Sequence, residues 1–249
     1  MNRLLVLTFG LCSYVVFFGT FLYAIGFTGG VVVPKDVNAG PAGSLVQAVV
    51  IDVLLLGLFA LQHSIMARHS FKRRWTRFVP PPIERSAFVL LSSLVLLLLF
   101  WQWRPLASVV WDVGGAGAVA LRAIFWLGWG LVFVATFQIN HFDLFGLRQA
   151  YRHYAGRPYQ PVPFVQPLLY RFVRHPIMLG FLLAFWATPR MTAGHLLFSC
   201  ATTGYILVGI LLEERDLLAA HGEAYEAYRR QVSMLVPVPR RPRRERTEA

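Results

Sequence analysis

Arg174-His175-Pro176-Ile177-Met178-Leu179-Gly180 opens a stretch that closes at Leu212-Glu213-Glu214-Arg215-Asp216-Leu217, and the chain between the two is almost entirely apolar. Its one interruption is Thr188-Pro189-Arg190. Proline ends a helix, so the stretch reads as a helical hairpin with a first arm from Pro176 and a second from about His195. At ~1.5 Å per residue the first arm falls short of the ~30 Å hydrocarbon core. Such a hairpin enters the bilayer and returns, bringing the cationic cluster at Arg174 and the carboxylates at Glu213 and Glu214 to one membrane face. Tyr225 and Tyr228 follow on one face of an amphipathic stretch.

Working outward, four further apolar runs have the length of a membrane crossing: about Leu4 to Phe27, Leu45 to Met66, Ser86 to Trp103 and Ala118 to Ile139. Hydrophobic residues make up 56% of the 249 and charged ones only 14%. This predicts an all-α integral membrane helical bundle of four spans plus the C-terminal hairpin. It forms a single domain over residues 1–249, with core spans at about 4–139, a C-terminal part at about 140–235 and a basic tail at 236–249. The N-terminal run is too long for a signal peptide and lacks a small-x-small site, so it is expected to stay as the first helix. The third run ends in Trp101 and Trp103, expected as an interfacial pair. Cys12 and Cys200 lie in apolar runs without CxxC or zinc spacing and read as packing residues.

The net charge of +12 does not indicate nucleic-acid binding. The Arg and Lys residues gather in the connection Arg68–Arg85, in the region 140–174 and in the tail Pro239-Arg240-Arg241-Pro242-Arg243-Arg244, without an aromatic-basic module. That pattern follows the positive-inside rule and attraction to anionic lipid. It predicts a multi-pass inner-membrane protein with both termini cytoplasmic. The region from Asn140 to Arg174, with Pro158, Pro161, Pro163 and Pro167, should be irregular, with one short helix near Gln149–Tyr154. A connection that long within a small bundle usually serves function.

Three constellations can carry chemistry. Pro176 suits a first helical position, and the free N–H groups of a helix start favour a carboxylate ligand. Gly180, one turn on, could admit a ligand to the backbone or ease helix packing. Glu213 and Glu214, ending the second arm, cannot point the same way, so at most one faces a ligand. Tyr225 and Tyr228 could stack on an adenine or simply pack. At the end of the fourth run, His141 and Asp143 could couple as a general base, or Asn140 and Asp143 could cap chain ends. His63, near the end of the second run, calls for an interhelical hydrogen bond. A metal site from His63, His141 and His175 lacks ligand spacing, and no metal is expected.

Arg174-His175-Pro176-x-x-x-Gly180 with Glu213-Glu214-x-x-Leu217, Gly222, Tyr225 and Tyr228 resembles the signature of the isoprenylcysteine carboxyl methyltransferase-like membrane enzymes. Gln62-His63-Ser64-Ile65-Met66-Ala67-Arg68, Pro81-Pro82-Ile83-Glu84-Arg85-Ser86 and Asn140-His141-Phe142-Asp143-Leu144-Phe145-Gly146 are similar to segments of the bacterial methanethiol S-methyltransferases. The resemblance implies S-adenosyl-L-methionine as cofactor and a small volatile thiol as substrate. No nucleic acid and no obligate protein partner are expected, with membrane lipid as the surroundings. The resemblance places His175, Pro176, Gly180, Glu213 or Glu214, Tyr225 and Tyr228 at the cofactor. His141 backed by Asp143 would then take the thiol proton, and Arg174 would stabilise the thiolate or hold the cofactor carboxylate. Met178 stands where the carboxyl methyltransferase relatives often have Tyr. Methylation of an isoprenylated carboxylate or a phospholipid amine is the neighbouring alternative, and a non-catalytic haem- or metal-related membrane factor is the more distant one.

Overall fold

The computed structural model describes residues 2–41 and 43–237, so the basic tail from Pro239 lies outside the described residues. Among the described residues, five helices are long and apolar enough to cross a membrane: α1 (Arg3–Gly29), α2 (Leu45–Ala67), α4 (Pro81–Gln102), α5 (Gly115–Gln138) and α9 (Ala193–His221). Short helices occupy the connections: α3 (His69–Trp75), α6 (His141–Leu144), α7 (Leu147–Tyr154) and α10 (Glu223–Gln231), with a 3-10 turn at Leu168–Arg171. The hairpin's first arm is α8 (Pro176–Trp186), whose 11 residues span about 16 Å at the helical rise. The chain is thus an all-α integral membrane bundle.

Local sequence sets the ends. Asn2, Ser44 and Thr192 cap α1, α2 and α9 by accepting from Leu4, Gln47 and His195 backbone N–H groups. Pro81 and Pro176 occupy first helical positions, where a missing N–H costs nothing. Gly222, at φ +52°, ends α9 and turns the chain into α10.

The first arm of the hairpin packs on α5 through glycines. A Cβ on Gly180 would stand 2.7 Å from the Gly128 carbonyl oxygen and from Val132, and one on Gly128 would stand 2.7 Å from backbone atoms of Gly180 and Ala184. Small residues let two apolar helices approach where lipid offers no hydrophobic drive. Aromatic rings fill the rest of this contact, with Phe125 and Trp129 of α5 against Phe21, Phe181 and Phe185. Large aliphatic side chains such as Leu54, Leu127 and Leu211 are 64–67% exposed, as befits a surface solvated by lipid chains.

The loops gather at two ends. At one, β1 (Val109–Asp112) pairs antiparallel with β2 (Arg190–Thr192), Trp103 Nε1 donates to Val37 O, and Thr192 Oγ1 bonds Asn38 Oδ1. Lys35, Arg104 and Arg190 lie on this side. The opposite end carries α3, α6, α7, α10 and most of the remaining cations. The two-stranded ribbon and α3 went unforeseen. Trp101 and Trp103 separate, Trp101 being exposed and Trp103 fully buried. Cys12 and Cys200 are free and exposed on the apolar rind instead of packed inside it. The second arm does not stop at Glu213-Glu214, because α9 continues to His221 on the run Arg215–Ala220.

Candidate active site

Val173 bridges to Ser233, and the backbone N–H groups of Arg174 and His175 donate to Ser233 O and Met234 O. The chain after α10 therefore folds back along the start of α8 and fixes both residues from the main chain outward. Their side chains meet the end of α9. Arg174 Nε and Nη2 reach Glu214 Oε1 at 2.7 and 2.6 Å. His175 Nε2 lies 3.2 Å from the same oxygen. Nη1 of Arg174 donates to Arg229 O and Val232 O, the last carbonyls around α10. A guanidinium at a helix C-terminus satisfies orphan acceptors and opposes the dipole.

The structure thus separates the two adjacent carboxylates. Glu214 is 8% exposed and turned inward onto Arg174 and His175. Glu213 has a side chain 48% exposed and stands 3.7 Å from His175 Nδ1. His175 lies between the two, one ring nitrogen toward each. Tyr170, on the 3-10 turn, is raised above the ordinary tyrosine range chiefly by burial and then by the nearby Glu213 charge.

Three expectations for this region change. Arg174 does not face outward toward a thiolate or a ligand carboxylate, because its guanidinium is engaged by Glu214 and by backbone carbonyls. Gly180 does not open onto a ligand, because α5 fills the space a Cβ would take. Tyr225 and Tyr228 are 1% and 5% exposed and form a small core with Val232, Phe164, Leu217 and Leu218. The Tyr228 hydroxyl donates to Tyr170 O. Burial pushes the Tyr225 hydroxyl up to about 12, Glu214 adding to the shift and the neighbouring Arg174 opposing it. These rings support the clamp instead of lining an open slot. Pro176 is buried at the first position of α8, as expected.

The second constellation lies where α5 ends. Asn140 adopts a left-handed conformation at φ +84°, and its side chain accepts from Asp143 N. Asparagine tolerates that conformation, and the turn tucks His141 back against α1 and α5. His141 is 4% exposed, stacks on Phe137 at 4.3 Å and is edged by Phe133, Phe142 and Phe145. Its Nε2 pairs with Tyr14 OH and its Nδ1 with Thr136 Oγ1, both at 2.8 Å. Burial lowers its affinity for a proton.

Asp143 does not back His141. It accepts from Arg148 at 3.0 Å and from Tyr159 OH at 3.2 Å. The reason is the turn itself: in a single helical turn His141 and Asp143 point to different sides. Sequence reading missed Tyr14 and Thr136, the actual partners of His141. A lone hydroxyl in an apolar span is the only signal that could have pointed to them, since it must find a partner. His63 meets its expectation, with Nδ1 2.7 Å from Tyr205 OH on α9. Arg68 pairs with Asp216 at 3.0 Å and ties α2 to α9.

Two recesses adjoin this end. One of about 370 Å³ is lined by His141 and Phe142 with Gln138, Asn140, Val162 and Val165 among others. The other, of about 700 Å³, has Lys72, Glu84, Arg85, Gln149, His153 and Arg157 in its walls. Gln149 Oε1 and His153 Nε2 there are buried without a hydrogen-bond partner among the described residues.

The family model described as "NnrU protein" matches residues 52–233. A methanethiol S-methyltransferase of Mycobacterium tuberculosis is 61% identical, covering 97% of this chain and 99% of that one. Methanethiol S-methyltransferase 2 of Bradyrhizobium diazoefficiens is 55% identical, covering 94% and 91%. Nurim of Rattus norvegicus is more distant, 28% identical over 86% of this chain and 90% of its own. No solved structure matches. With a family model matched over most of its length and relatives sharing more than half their residues with it, the chain belongs to the NnrU family and, by those relatives, to the methanethiol S-methyltransferases.

Proposed function

We propose that the chain methylates methanethiol to dimethyl sulfide with S-adenosyl-L-methionine as donor, at the inner membrane and with the basic end of the bundle and both termini toward the cytoplasm. The observation that carries this reading is near-full-length identity of 61% to a protein named for that reaction. The geometry at the basic end agrees with it. A donor with an ammonium, a carboxylate and a sulfonium needs one open carboxylate, one set of N–H groups and no competing bulky cation. Glu213 is half exposed with an imidazole as its near neighbour, and the start of α8 leaves the Ile177 and Met178 N–H groups without intrahelical acceptors.

In this reading Glu213 and His175 hold the donor. Glu214 and Arg174 act one step back, locking His175 and the α10 terminus so that Glu213 keeps its place. Pro176 sets the direction of the helix start, while Gly180, Tyr225 and Tyr228 stabilise the surrounding packing. Bound S-adenosylmethionine supplies an electrophilic methyl group. The chain's remaining task is to admit a thiol, remove its proton and exclude water, because the thiolate is the nucleophile. His141, whose hold on a proton burial weakens and which aromatics ring beside a small recess, suits the first two needs. Asp143 orders the loop through Arg148 and Tyr159. A volatile thiol that partitions into lipid gives this chemistry a reason to take place in a bundle.

Headspace gas chromatography on the purified protein, with methyl-deuterated donor and methanethiol, tests the reading. Labelled dimethyl sulfide is the expected product. Methyl ester from a prenylcysteine, methylated phospholipid amine, or a haem absorbance with no turnover would each replace it.

A further inference from the structure

The hydrogen positions around His141 follow from its partners. Thr136 Oγ1 lies 2.7 Å from Phe133 O, the back-bond of a helical threonine, so its single hydrogen points at that carbonyl. At 2.8 Å from His141 Nδ1 the same oxygen can then only accept. His141 therefore carries its proton on Nδ1, and Nε2 is the bare nitrogen. Tyr14 OH, 2.8 Å from Nε2, must be the donor in that bond. As the donor in that bond, the Tyr14 oxygen retains acceptor lone pairs, and the residue is only partly buried. Both ring nitrogens are engaged, so a thiol cannot reach the base directly without breaking a bond.

We infer that Tyr14 is the group that meets the thiol, passing its proton to His141. This rests on the methyltransferase reading above and assigns its first step. The S–H proton moves to the Tyr14 oxygen as the Tyr14 hydrogen moves to Nε2, leaving thiolate, neutral tyrosine and an imidazolium. The thiolate's electron pair forms the new S–C bond, and the donor's sulfonium keeps the electrons of the bond that breaks. His141 later returns the extra proton to solvent, so one proton is released per turnover. Thr136 is a positioning residue, because it fixes which nitrogen is bare. The groups packed on the ring are Tyr14 from α1, Phe133, Thr136 and Phe137 from α5, and Phe142 and Phe145 beside it. Tyr14 is the one titratable group among them. The recess that His141 lines, with Phe137, Phe142, Val162 and Val165, has room for a small thiol next to the imidazole.

The test compares wild type with Tyr14→Phe in the full chain in lipid nanodiscs, using methanethiol and a fluorinated alkanethiol that is far more ionised than methanethiol near neutral pH. Wild type must turn over methanethiol; if it does not, the methyltransferase reading itself fails, whatever Tyr14 does. Expected for Tyr14→Phe is a loss of about a hundredfold in kcat with methanethiol, the usual range for a lost acid–base group. The loss should shrink to within about threefold with the acidic thiol or at high pH, since a thiolate needs no base. Donor affinity should not change. An equal loss with both thiols at every pH would make Tyr14 structural, and no loss at all would remove it from the reaction. Should Tyr14→Phe fail to accumulate, Thr136→Val decides. It should show the same thiol-dependent defect, and Thr136→Ser, which keeps the acceptor, should restore activity. A Thr136→Val defect that ignores thiol acidity would overturn the assignment.

Discussion

Arg174 and Glu214 carry the tightest electrostatic contact at the basic end, with side chains 5% and 11% exposed. Removing one member of such a pair leaves a buried charge without compensation, at a cost of about 3–5 kcal/mol. Arg174→Ala should therefore lower the thermal midpoint sharply. Arg174→Lys should recover little, because an ammonium cannot hold a carboxylate and two backbone carbonyls in one plane. A Lys variant melting like wild type would contradict this reading of the clamp. His141 gives a pH prediction. Burial depresses its folded pKa below the ordinary value near 6.5. The unfolded chain then binds a proton that the folded chain refuses, so His141's contribution to stability is complete above about pH 6.5 and is lost as the pH falls through its folded pKa. Thermal melts from pH 8 to 5 should show the drop, and His141→Gln should flatten it. At this scale the sequence located the residue types and erred on their directions. Adjacent carboxylates revealed that only one could face outward, but which one depends on the azimuth of α9 against α8. The partner of His141 comes from α1, more than a hundred positions away, and no local spacing encodes it.

Among the elements, the α5–α8 crossing depends on Gly128 and Gly180, where added carbon would meet backbone atoms at 2.7 Å. Backbone cannot yield as a flexible side chain can. Gly128→Ala should cost about 1–3 kcal/mol by overpacking and should shift α8, with the Arg174–His175 pair at its start. Gly57, where nothing lies within 4 Å, is the matched control and should tolerate Ala with little change in thermal midpoint. The elements themselves were largely legible, since hydrophobic length and proline placement predict the five spans and the short first arm of the hairpin. The end of α9 was not. Glu213, Glu214, Arg215 and Asp216 look like a terminus in hydropathy, yet they continue the helix because Arg174 and His175 take Glu214 and Arg68 takes Asp216.

The described residues have a sparse-charge end and a basic end, and by the positive-inside rule we propose that the basic one faces the cytoplasm. With Cys12 and Cys200 replaced, Ser70→Cys within α3 and Ser108→Cys beside the ribbon report the two sides. In inverted inner-membrane vesicles a membrane-impermeant maleimide should label Ser70→Cys and spare Ser108→Cys; the reverse would invert the protein. This two-sidedness was readable from charge alone, whereas the ribbon joining β1 to β2 was not, because it pairs short segments far apart in the chain. The central claim is that the donor is held where the hairpin's two ends meet, and not in the larger recess around Glu84. Isothermal titration with S-adenosylhomocysteine tests it most directly. The account predicts binding that weakens at least tenfold in Glu213→Gln, at an unchanged thermal midpoint, and that persists in Glu84→Gln. Binding lost in Glu84→Gln and retained in Glu213→Gln would contradict it.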